Sequence, residues 1–158
     1  MIHGPGGFMK MEAMWARKKA PPPLFFQPFM PYFSTDPPGR IQPVYVNDVA
    51  RAFVEALDRP ETIGKTFALG GPESMTWPQM HASASKIIVG HQRLSAPIPA
   101  RMGRLMAAAG LGDLLGFNRD QVIMAGEDNS GDIRPFVETF GWMPVSFESA
   151  LRQYLYQL

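Results

Sequence analysis

Three histidines, fourteen carboxylates and no cysteine are the side chains from which much of this chain's chemistry must be drawn. The missing cysteine excludes disulfide scaffolds, zinc–thiolate sites and thiol nucleophiles. His81 and His91 have no metal-like spacing with acids, so both read as surface residues. Ser34, Ser74 and Ser95 could supply a nucleophile, but none stands in a G-x-S-x-G nucleophile elbow. Glu61, Glu73, Glu127 and Asp128 are scattered, without the paired context that glycoside chemistry needs. The glycines of GLGDLLG, Gly110 to Gly116, follow a helix-forming run and not a strand, so they read as a helix terminus and turn. Asp48 could be a pocket acid, yet just ahead of a helical run a carboxylate is worth about 1 kcal/mol as a cap and needs no catalytic reason. Asn47 reads the same way.

The elements that position these residues centre on GRIQPVYVNDVARAFVEAL, Gly39 to Leu57. Ile41, Val44, Tyr45 and Val46 predict a strand; Val49, Ala50, Phe53, Val54 and Leu57 fall at helical spacing behind Asn47 or Asp48 as cap. Ahead of this unit, Phe8 to Lys19 predicts an amphipathic helix with Phe8, Met11, Met14 and Trp15 on one face and Arg17, Lys18 and Lys19 at its end. Ala20 to Pro38 is a proline-rich aromatic crossing that must cover core, line a pocket or meet a partner. Lys65 to Leu69 predicts a strand ending at Gly70-Gly71-Pro72. Thr76 caps a helix from Trp77 to about Val89 that stops at Gly90. An extended piece at Ser95 to Pro99 and helices at Ala100 to Ala109 and about Asn118 to Ala125 follow, then a polar turn, EDNSGD. Ser146 caps a last helix with Phe147, Ala150, Leu151, Tyr154 and Leu155 as its apolar face.

With 158 residues, 46% of them apolar, the chain can bury a real core as one body spanning residues 1–158. A formal net charge of +1 gives no pull toward nucleic acid. No run approaches the roughly 18 apolar residues of a membrane span, and MIHGPGGFMK lacks the order of a secretory signal, so cytoplasmic residence is the expectation. The eleven methionines read as adaptable core filler.

The segments IHGPGG, IQPVYVNDVARAFVEAL and GKTFALGGPESMTWPQM closely resemble the C-terminal half of extended and atypical short-chain dehydrogenase/reductase proteins, the NAD-dependent epimerase/dehydratase group. Within that group the chain looks most like the branch containing the NAD(P)-binding accessory subunit of respiratory complex I. The resemblance implies an α/β chain, the C-terminal part of a Rossmann-like fold with few strands, several helices and a mainly helical substrate lobe. It also implies that the dinucleotide-binding half is absent here. None of Tyr32, Tyr45, Tyr154 and Tyr156 is followed four residues on by the lysine that such proteins use, and no G-x-G-x-x-G run is present.

Several expectations follow from that likeness. NAD(P) is the implied cofactor, with Ile2, His3, Gly4 and Pro5 beside its nicotinamide end, although tight binding to this chain alone is not expected. For His3 the reading as an ordinary loop residue is preferred to that of a pocket-lining side chain, because proteins of this group often place other aromatics there. Arg40, Gln42, Tyr45 and Asp48 are the implied substrate contacts. No catalytic residue and no metal ligand is assigned. The chain is expected to be the substrate-binding portion of a nucleoside-diphosphate-sugar epimerase/dehydratase-like or reductase-like protein, not catalytic alone. The other reading is a non-catalytic assembly module acting through a partner. An uncovered sheet edge would make it sticky, with a protein partner or a second copy covering it.

Overall fold

The computed structural model describes residues 1–19, 29–111, 117 and 119–158. Most of the aromatic crossing, with Leu24, Phe25 and Phe26, and most of GLGDLLG lie outside the described residues, as does Asn118. The fold is mixed α/β. Strand β1 (Ile2–His3) runs parallel to β4 (Val44–Tyr45), and β2 (Met30–Ser34) runs parallel to β6 (Ser95–Pro99). In a third small sheet β3 (Arg40–Ile41) lies between β5 (Met75–Thr76), antiparallel to it, and β7 (Asp128–Asn129), parallel to it. Parallel neighbours need long crossovers, and here helices supply them.

Helix α1 (Gly7–Ala16) buries Met9, Glu12, Ala13 and Ala16, spaced i, i+3, i+4, i+7. Phe8, Met11 and Trp15, expected on the packing face, instead look into a cavity, and Met14 is 37% exposed. The helix ends where Lys18 turns to φ +57°, and the Arg93 guanidinium donates to the carbonyl of Ala16 at 2.9 Å, satisfying an orphan acceptor. Helix α3 (Trp77–Val89) begins and ends as its residues predict: the Thr76 amide donates to Gln79 Oε1 at 2.8 Å, and Gly90 takes φ +81°. Helix α7 (Phe147–Tyr154) starts at Ser146, whose hydroxyl accepts from the Ser149 amide. Helices α1, α3 and α7 close the main core around Met9, Met80, Ala84, Phe147, Leu151 and Tyr154. Each large apolar side chain buried there contributes about 2 kcal/mol.

Helix α2 (Val46–Leu57) departs from expectation in two ways. Val46 opens it, so neither Asn47 nor Asp48 is its cap; Asp48 sits inside the first turn and its side chain reaches elsewhere. Second, the inward stripe is Asp48, Ala52, Glu55 and Arg59, spaced i, i+4, i+7, i+11, against helix α6 (Arg134–Phe140) and the residues after it. Trp142 Nε1 donates to Glu55 at 2.9 Å, and Arg59 donates to the carbonyls of Thr139 and Phe140. That anchoring turns Phe53, Val54 and Leu57 outward, 73%, 63% and 85% exposed.

The expected strand at Lys65 to Leu69 is not one, because a strand needs a ladder and no described residue pairs with it. Phe67 and Leu69 pack instead on the second core, built from Ala52, Phe136 and Phe140. The strand foreseen from Ile41 to Val46 is broken by Gln42 and Pro43 into β3 and β4, which belong to different sheets. Helices α4 (Ala100–Ala108) and α5 (Arg119–Met124) fall where periodicity places them. Helix α6 and the short strand β7 within EDNSGD were not foreseen.

Candidate functional site

Strands β1 and β4 are parallel, and the chain leaves both at the same end. From β1 it enters the loop Gly4 to Gly6 and helix α1; from β4 it enters α2 at Val46. Between these exits lies a cleft of about 290 Å³, lined by residues 2–9 and Val46. Ligands of open α/β sheets bind outside the carboxyl ends of the strands, which is the position of this cleft. Gly4 fits its place because a Cβ there would come within 2.7 Å of Val46 Cγ1. Ile2, His3, Gly4 and Pro5 therefore lie together, and all four line the cleft.

His3 is held from below. It is 3% exposed, its Nδ1 hydrogen-bonds to the Tyr154 hydroxyl at 2.8 Å, and its ring packs edge-on to Phe147 with centroids 5.0 Å apart. Nε2 has no protein partner. Burial, with the charge of the terminal amino group as a smaller cause, pushes the imidazole down to about 4. The same burial, with Tyr45 beside it, pushes the Tyr154 hydroxyl up, so it keeps its proton.

The four residues expected to touch substrate are placed differently, and none lines this cleft or the cavity described next. Arg40 is exposed and donates to Ser74 Oγ at 2.9 Å and to the Ser74 carbonyl at 2.8 Å. Gln42 is buried; its Nε2 donates to the Gly71 carbonyl at 2.8 Å and its Oε1 accepts from the Gly131 amide at 2.8 Å. Tyr45 is buried and stacks on Tyr154, while its hydroxyl accepts from Asn47 Nδ2. Asp48 Oδ2 accepts the Val145 amide at 2.8 Å.

The second space is a cavity of about 510 Å³ between α1, α3, α4, α5 and the β2–β6 pair. Its described walls are apolar and aromatic, with Phe8, Trp15, Tyr32, Phe33 and Trp77 prominent, and no Lys, Arg, Asp or Glu among them. One histidine belongs to the wall, His81, which is 1% exposed and not the surface residue its sequence context suggests. Its Nδ1 lies 2.6 Å from Oε1 of Glu12, a carboxyl with no exposure. Reading the sequence missed this pair. The signal was there: Glu12 interrupts the apolar stripe of α1, and His81 stands four residues from Trp77 on the stripe of α3.

The fold and the cleft define a class: the C-terminal part of a Rossmann-like α/β protein with a mainly helical lobe. The chain superposes on UDP-glucose 4-epimerase from Thermotoga maritima with UDP-glucose bound, at TM-score 0.62 and 19% identity, over 99% of this chain and 42% of that one. It superposes on UDP-glucuronic acid 4-epimerase from Bacillus cereus in complex with NAD at TM-score 0.60 and 17% identity, over 99% and 42%. Triphenylmethane reductase from Citrobacter sp., complexed with NADP(H), gives TM-score 0.60 and 14% identity over 90% and 48%. The chain thus spans less than half the length of these structures, and at such identities the likeness is one of fold. No protein-family model matches the chain. No curated protein matches it either.

The cleft is at the small end of ligand sites, and G-x-G-x-x-G, the cradle for a pyrophosphate, does not occur in the sequence. Among the described residues no group of three or more His, Cys, Asp or Glu could hold a metal ion. Among them, too, no helix is long and apolar enough to cross a membrane.

Proposed function

We propose that this chain is the substrate-holding portion of an NAD(P)-dependent protein of the epimerase/dehydratase or reductase type. The observation that carries the reading is the cleft at the common exit of two parallel strands, walled by Ile2, His3, Gly4 and Pro5. In this arrangement those residues meet the nicotinamide end of the cofactor, whose chemistry is hydride transfer. A dinucleotide-binding portion pairs with the edge of β1 and covers the outward face of α2. The exposure of Ile2 (60%), Phe53 and Leu57 supports that placement. Arg40, the exposed member of its group, meets the polar part of the substrate. Gln42, Tyr45 and Asp48 are positioning residues, Gln42 holding Gly71 and Gly131, Tyr45 bonding Asn47 and Asp48 holding Val145.

The test is to read the DNA upstream of the Met1 codon, express any in-frame extended chain, and titrate it and the 158-residue chain with NADH and NADPH. The expected result is an extension carrying a glycine-rich turn and a tyrosine–lysine pair, with dinucleotide binding by the extended chain alone. A stop codon close upstream, together with a copurifying protein that lacks a dinucleotide fold, moves the reading to the assembly module.

A further inference from the structure

Charge is shared unevenly along this chain. No Asp or Glu occurs between Glu12 and Asp36 or between Glu73 and Asp113, stretches that hold Arg17, Lys18, Lys19, Lys86, Arg93, Arg101 and Arg104. The fold brings the first five of these cations to one end of the molecule. Helices α1 and α3 lie side by side in the same sense: Phe8 meets Trp77 with ring centroids 5.7 Å apart, and Glu12 meets His81 at 2.6 Å. Further along, Ser85 Oγ accepts the Arg93 amide and the Ala16 carbonyl accepts its guanidinium, each at 2.9 Å. Both helices therefore finish together, and strands β2 and β6 start there, where the Met30 amide donates to the Leu94 carbonyl at 2.8 Å. Arg17 is held by the Leu158 carbonyl and Arg93 by that of Ala16. Lys18, Lys19 and Lys86 are exposed, and their ammonium groups have no partner among the described residues. Of the carboxylates on α1, α3 and α7, Glu12 is buried against His81 and Glu148 accepts from the Ser83 hydroxyl. Cations at helix C-termini offset the dipole, but each such end carries only about half a charge.

We propose that this end of the molecule docks on an anionic phospholipid surface, with the lysines over the headgroups and Leu94 and Phe29 in the interfacial layer. Apolar side chains stand among the cations: Leu94 is 79% exposed, Phe29 40% and Met14 37%. Lysines near a negative leaflet are drawn to it, and apolar side chains beside them add burial that a phosphate backbone cannot supply. That combination favours lipid over nucleic acid. Lysine suits such a surface, being a point charge on a flexible stem that needs no fixed geometry in its partner. The strand-end cleft lies away from this end, because α1 starts beside it at Gly7 and runs about 15 Å before reaching the lysines. Docking therefore leaves the cleft open.

The test is flotation of the 158-residue chain with vesicles of phosphatidylcholine alone and of phosphatidylcholine with phosphatidylserine, at low and high salt, beside a titration with poly-uridylate. The expected result is binding to the phosphatidylserine vesicles only, weakened by salt. Lys19→Ala with Lys86→Ala, one change from each helix end, should weaken it about thirtyfold, each lysine near a negative leaflet being worth about fivefold. Leu94→Ser should weaken it about fivefold or more. Lys65→Ala with Arg134→Ala makes the same change in net charge at exposed positions elsewhere and should leave it unchanged. Failure to bind the phosphatidylserine vesicles, equal binding to phosphatidylcholine alone, or an equal loss in the two paired variants overturns the proposal. An unchanged affinity in Leu94→Ser, or poly-uridylate bound more tightly than the anionic vesicles, overturns it as well, the latter in favour of nucleic acid. Dinucleotide binding enters none of these readouts, so docking and the chain's place in an NAD(P) protein stand or fall separately.

Discussion

His3 Nδ1 and the Tyr154 hydroxyl lie 2.8 Å apart across 151 positions of sequence, both buried, and so tie the first strand to the last helix. The fold favours the neutral imidazole, whose pKa falls from 6.5 to about 4. A depressed value means that the stabilising contribution is complete above pH 6.5 and is lost as pH falls toward 4, below which it levels off. The loss over that window is about 3 kcal/mol. Urea unfolding at pH 7.5, 6, 5 and 4 should show it, and His3→Phe should flatten the curve. Parallel curves for parent and variant would remove His3 as the cause.

Asp48→Ala should destabilise the chain by about 2 kcal/mol, because it leaves the Val145 amide without its acceptor and removes an acid from the first turn of α2. Asn47→Ala, in the neighbouring exposed position, should cost about 0.5 kcal/mol or less. Chemical denaturation of the two variants decides. Equal losses would return Asp48 to the role of an ordinary surface acid.

Gly71→Ala should be among the most damaging single changes. A Cβ there would sit 2.0 Å from the Pro43 carbonyl oxygen, and the backbone must shift or the Gln42–Gly71 hydrogen bond must break. A loss of about 3 kcal/mol is expected. Gly6→Ala is the control, since its φ of −135° suits any residue and nothing lies within 4 Å of the new Cβ. Thermal melts that place both variants at the parent's midpoint would contradict the close approach.

The outward face of α2 should govern self-association without governing stability. Phe53 and Leu57 are 73% and 85% exposed, so Phe53→Glu with Leu57→Glu removes little packing. Sedimentation velocity should show the parent as a concentration-dependent dimer or larger species and the double variant as a monomer with an unchanged melting midpoint. A monomeric parent would mean that this face stays wet.

Much of the site's frame was legible in the chain. The helices at Trp77–Val89 and Phe147–Tyr154 announced their ends through Thr76, Gly90 and Ser146, because caps and stops act over a few residues. The grouping of Ile2, His3, Gly4 and Pro5 was legible because they are consecutive. What failed was anything that required a partner. Lys65 to Leu69 has strand composition but no ladder among the described residues, and the strand at Ile41 to Val46 divides because its two ends pair with different neighbours.

The sequence by itself determined the placement of most helices and the absence of thiol chemistry, both set by local propensity and residue type. Only the tertiary structure decided which face of each helix points inward. On α2, the bonds of Glu55 and Arg59 to α6 and the residues beyond it turn Phe53 and Leu57 to solvent. Only the tertiary structure brought Glu12 to His81 across 69 positions, both fully buried. Periodicity shows that a helix has an apolar stripe, but the rotation of that stripe and the polar residues it buries depend on contacts between distant segments, and those carry no local signature.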